Sequence, residues 1–96
     1  MDTTKYPVPL SAYDYRVLTK SKIIALMIGD QLETAKKRGD QRILSMTLFE
    51  LEELVGWLAA ESNHAYSRRV GEELGEICDK LEGLLFEIKR GLREEK

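Results

Sequence analysis

Glu61 and His64 stand three residues apart in the stretch AAESNHA. This is the Glu-x-x-His spacing with which carboxylate-bridged bundles present half of a di-metal centre. On a helix the spacing puts both side chains on one face, which makes them the chain's metal-ligand candidates. A half-site of this kind works only if it projects into a core and meets carboxylates from neighbouring helices. Leu48, Leu51, Val55 and Leu58 mark the inner stripe of the same segment. At roughly 100° per residue, Glu61 lies about 90° and His64 about 150° away from that stripe. His64 is also the only histidine. The phase argues against a metal, and His64 reads as a helix-end residue at the negative end of the dipole. No metal and no cofactor is expected.

The remaining chemistry is thin. Cys78, the only cysteine, has no candidate base in its own segment and stands beside Ile77 and Leu81, so it reads as a small buried hydrophobe rather than a nucleophile. Gly71-x-x-x-Gly75 lies in a polar helical segment and suits close packing or a softer first turn better than a phosphate cradle. Glu52/Glu53 and Glu72/Glu73 read as solvated charges. The chain is expected not to be an enzyme.

Ninety-six residues with 43% hydrophobic and 33% charged side chains suit one domain with a single modest core. Seven glycines and two prolines exclude a low-complexity chain. A lone cysteine forms no intramolecular disulfide, which points to a reducing, cytoplasmic setting. The first fifteen residues do not read as a secretory signal, and the longest apolar block, Ile23 to Ile28, is far short of a membrane span.

Local signals then place the elements. YPVPL is an extended arm, residues 1–10, since Pro7 and Pro9 fix their own φ and push Tyr6 and Val8 toward β or polyproline II geometry. Ser11-x-x-Asp14 opens a first helix across 11–38, with a break near Thr19 to Ser21 as an open alternative. Gly39-Asp40 stops it and begins a connector, 39–47, whose Ile43, Leu44 and Met46 rest on the helices. Thr47-x-x-Glu50 opens a second helix, 48–63. A third spans 68–93, with Val70, Leu74, Ile77, Leu81, Leu84, Leu85, Ile88 and Leu92 recurring every three to four residues. As one rod, the stripes of the last two helices would point roughly 100° apart, so a turn near Asn63 to Ser67 is inferred. The expected fold is all-α: an up-down-up three-helix bundle behind an extended N-terminal arm.

Two helices carry more apolar surface than such a bundle covers. Val17, Ile24, Ile28, Leu32 and Ala35 share one face of the first helix, yet Leu26 points nearly opposite, with Ile23, Met27 and Leu18 flanking. Trp57 lies roughly 130° from the centre of the second helix's stripe, on the face of Glu50, Glu53, Glu61 and His64. Ile23, Leu26, Met27, Trp57, Glu61 and His64 are therefore the candidate interface, and a homodimer or other protein partner is expected. Lys36, Lys37, Arg38 and Arg42 form a basic patch at the end of the first helix, where they would meet its dipole. Ser67-Arg68-Arg69 falls at the other end of the bundle, so the two do not merge. With 15 basic against 17 acidic residues, the charge balance argues against nucleic acid.

The sequence thus supports a small intracellular interaction or assembly module that self-associates through outer faces of the first two helices. A nucleic-acid-associated accessory protein is the alternative, and a metal-binding bundle the remote one.

Overall fold

The computed structural model describes residues 3–94. Its elements are β1 (Lys5–Ser11), α1 (Ala12–Lys20), α2 (Lys22–Met27), α3 (Gly29–Glu33), β2 (Lys36–Arg38), β3 (Gln41–Thr47), α4 (Leu48–Asn63) and α5 (Arg68–Glu94). The fold is α+β, which overturns the all-α three-helix bundle. A three-stranded antiparallel sheet, in the order β1-β3-β2, takes up the expected arm, the connector and the end of the expected first helix. Residues 1 and 2 of that arm lie outside the described residues.

The physical reason for the strands is a period-two pattern split between distant segments. Val8 and Leu10 in β1, and Leu44 and Met46 in β3, are all buried, while Pro7, Pro9, Gln41 and Ser45 are exposed. Alone, either strand would leave a row of backbone groups unpaired; together they pair from Lys5↔Thr47 to Ser11↔Gln41. The prolines are compatible because β1 is an edge strand and both stand at the same parity. Proline has no N–H, so the ladder must use Tyr6, Val8 and Leu10, and Pro7 and Pro9 fall where the N–H would face outward. In the same parity, the Ala12 N–H continues the ladder by donating to the Asp40 carbonyl at 3.1 Å. Both sheet edges are blunted against strand addition, one by prolines and the other by the exposed Lys-Lys-Arg of β2. Gly39, at φ 59°, makes the two-residue turn between β2 and β3.

The continuous first helix expected over 11–38 is replaced by three short ones. Ser11 caps α1, accepting the Asp14 N–H at 3.0 Å. Ser21, with φ −82° and ψ 114°, interrupts the helix at the position left open above. Next to it, Thr19 turns its hydroxyl back to the Arg16 carbonyl at 2.8 Å, the local competition that weakens a helix at Ser and Thr. Ile28 separates α2 from α3, and α3 closes at Thr34. The Tyr15 hydroxyl donates to the Leu32 carbonyl at 2.6 Å, strengthening the close of α3, where the Ala35 N–H reaches the same carbonyl only at 3.4 Å.

Beyond Thr47 the chain is a helical hairpin. Thr47 and Glu50 form a reciprocal capping box at the start of α4. The close approach of α4 to α5 explains the two glycines: a Cβ on Gly71 would stand 3.0 Å from the Ser62 carbonyl oxygen, and one on Gly75 3.2 Å from the Ser62 hydroxyl. Ser62 in turn donates to the Gly71 carbonyl at 2.7 Å. One core cluster joins the inner sheet face to Leu18, Ile24, Ile28 and Leu32, and to Leu51, Leu54, Leu58, Leu74, Ile77 and Leu81 of the hairpin. No helix among the described residues is long and apolar enough to cross a membrane.

Candidate functional site

The candidate interface residues fall in two places. Ile23 and Leu26 lie on the outer side of α2, and Leu26 is 87% exposed. Met27 is half-buried against the core. On α4, Glu50 is hydrogen-bonded by the side-chain amide of Gln31 from α3, while Glu61 and His64 share a cleft with Ser21 and Lys22 at the start of α2. Glu50, Glu61 and His64 on this face of α4 therefore stand beside α2 and α3, and Trp57 on the same helix is 41% exposed. The large apolar residues exposed on this side are Ile23, Leu26 and Trp57.

His64 is the C-cap of α4, its N–H bonded to the Ala60 carbonyl at 3.1 Å. It is exposed and Glu61 half-buried. No group of three or more His, Cys, Asp or Glu side chains among the described residues is placed to hold a metal.

The basic patch changes character. Lys36, Lys37 and Arg38 are strand β2 rather than a helix end, so no helix dipole accounts for them. Register also divides the patch between two faces: Lys36 and Arg38 stand opposite Ile43 and Gln41, whereas Lys37 stands opposite Arg42. Arg42 lies over the Tyr15 ring, 5.8 Å from its centroid.

Cys78 is buried, and its thiol has the Glu82 carboxylate at 3.3 Å and the Val55 carbonyl at 3.6 Å as acceptors. Burial first, and then the hydrogen bond and negative charge of Glu82, push the thiol up to about 11 from 9.0. At pH 7 roughly one molecule in ten thousand then carries the thiolate, which leaves little nucleophile.

A further grouping is tertiary in origin. The end of α1, the start of α2, the α4–α5 turn and the first turns of α5 enclose a cleft of about 710 Å³. Arg16, Lys20, Lys22 and Arg69 line it, with Tyr13 and Tyr66. Glu61 and Glu73 are its carboxylates, and Val17, Val70 and Leu74 supply apolar wall. None of the four cations makes an ion pair with a described residue, whereas Arg68, Lys80, Lys89 and Arg90 do. On the other side of Tyr66 a shallower groove carries Glu72, Glu76 and Asp79. The isolated helix ends gave no sign of this grouping; the only sequence trace is that Arg69 sits in a helix's first turn, where acids are favoured. No family model, curated protein or solved structure matches the chain.

Proposed function

We propose that the chain is a small interaction module that acts by binding rather than catalysis, and that it self-associates through the outer face of α2 and the adjoining face of α4. The observation that carries this reading is the placement of the aromatic residues. None of the four tyrosines, the two phenylalanines or the tryptophan belongs to the buried core, which is built of Val, Leu and Ile with Met46 and Cys78. Tyr13, Phe49, Trp57, Tyr66 and Phe86 are instead exposed. Folding ordinarily buries such rings, and aromatic side chains are the commonest anchors of binding surfaces. Leu26 adds an aliphatic anchor: covering it fully is worth about 1.5–3 kcal/mol per copy. Lys22 and Glu61 supply charge beside Ile23 and Trp57, in keeping with an apolar centre and a polar rim. A cytoplasmic setting suits a chain whose one cysteine is a free, buried thiol.

Light scattering after size exclusion, over micromolar concentrations, tests the reading. A dimer mass that Leu26→Glu or Trp57→Glu returns to the monomer, with helicity kept, is the expected result. A strict monomer at every concentration would sink self-association.

A further inference from the structure

We infer that the cleft between α1, α2 and the α4–α5 turn binds a nucleotide, with Arg16, Lys20, Lys22 and Arg69 holding the phosphate and Tyr13 and Tyr66 packing on the base. This goes beyond the self-association reading: Lys22 and Glu61 border both surfaces, but the apolar anchors Ile23, Leu26 and Trp57 do not line the cleft.

Charge is the first argument. The chain as a whole carries −2, yet at this one concavity four cations from three helices face two carboxylates, and none of the four is neutralised within the described residues. Like charges gathered without partners repel one another, and a bound anion removes that cost. The first turn of α5 adds to the field: it holds Arg68 and Arg69 and no acid, although the helix start already bears partial positive charge. Arg68 is paired with Glu72, while Arg69 is left to the cleft.

The rings narrow the ligand class. Inorganic phosphate would need only the cations, but Tyr13 is 51% and Tyr66 92% exposed at the same cleft. Arginine, lysine and exposed tyrosine together are the chemistry that holds phosphates while stacking on flat bases. The cleft's volume falls within the range of about 300–1,000 Å³ typical of small-molecule sites. Glu61 offers an acceptor for ribose hydroxyls or a base amino group.

Three probes against the full chain test this at low salt: inorganic phosphate, adenosine monophosphate and a fluorescent ten-nucleotide oligothymidylate. Saturable binding of the nucleotide and the oligomer is expected, with phosphate weaker. Lys20→Glu combined with Arg69→Glu should weaken all three by about tenfold or more. Tyr66→Ala should weaken the two base-bearing probes by roughly 5- to 100-fold and leave phosphate unmoved. Leu26→Glu should alter none. An oligomer bound more than tenfold tighter than the mononucleotide assigns the site to single strands; equal affinity assigns it to free nucleotides. Every altered side chain is exposed, and unchanged circular dichroism shows that the variants fold. The proposal is overturned if no probe saturates by millimolar concentration. It also falls if binding survives the cleft changes and is lost on Lys36→Glu with Arg38→Glu, which would move the site to the β2–β3 hairpin.

Discussion

From Leu48 onward the molecule is two long helices packed on each other, while residues 5–47 are a sheet and three short helices that rest on that hairpin and on one another. α4 and α5 have 16 and 27 residues, a capping box and a tight small-residue contact at Ser62 and Gly71. α1, α2 and α3 have nine, six and five, lengths at which an isolated helix does not hold in water. They persist because Leu18, Ile24, Ile28 and Leu32 are buried in the core that the hairpin and the sheet complete. The hairpin is thus specified by local rules, and the first half by what it packs against. The cleft lies where the two halves meet, which explains how cations remote in sequence converge there.

The largest effect is expected at the sheet's inner face, where the first half depends on its packing. Leu44→Ala removes a fully buried side chain that faces β1 across the ladder, and should cost about 2–5 kcal/mol in urea denaturation. A single transition is expected because one core spans both halves. A second transition that keeps much of the helical signal would show the hairpin folding by itself. Gly71→Val tests the hairpin's own packing. The new side chain meets the Ser62 carbonyl, and a loss of about 1–3 kcal/mol is expected.

Smaller effects separate contacts between the halves from those within one. Lys80 reaches from α5 to Asp14 of α1 at 2.9 Å, and the Asp14 side chain is only 10% exposed. Lys80→Ala should cost roughly 1–2 kcal/mol, since it strands a buried carboxylate. Lys89 and Glu52 pair at 3.3 Å inside the hairpin with both side chains open to water, so Lys89→Ala should fall within about 0.5 kcal/mol of the parent. Equal losses for the two would remove the special standing of the contact between halves.

The smallest effect at neutral pH concerns Cys78. Its folded pKa is raised to about 11 from 9.0, so the folded chain keeps a proton that the unfolded chain gives up. The associated stability is whole below pH 9 and is lost as pH rises toward 11. Cys78→Ala should flatten the fall in stability across that window relative to the parent. Identical slopes in alkaline denaturation would contradict the burial argument.

Some elements could be read before any tertiary contact was known, because their determinants lie within a few residues of each other. Thr47-x-x-Glu50 is a capping box whether or not a sheet precedes it. Ser11 and Asp14 start a helix by the same local geometry. The apolar repeat from Val70 to Ile88 specifies a helix by its period alone. The strands were harder: Pro7 and Pro9 read as an arm, since their tolerance depends on which edge of a sheet they occupy. Lys36 to Arg38 continued a helical pattern until pairing with Gln41 to Ile43 drew them into a strand. Even so, the outward Leu26 could be read from helical phase.

Local signals in the sequence specify the α4–α5 hairpin, the Thr47–Glu50 capping box that opens it, the buried character of Cys78 and the surplus of apolar side chains on α2. They do not specify the close of α4, where His64 caps at φ −108° rather than in a left-handed turn. Only the tertiary structure decided the sheet, the breaks at Ser21 and Ile28, and the meeting of Arg16, Lys20, Lys22 and Arg69 around two tyrosines. Capping and helical periodicity act over three or four residues and so are written locally. A strand ladder, or a cluster of like charges, depends on partners that the chain must first bring together.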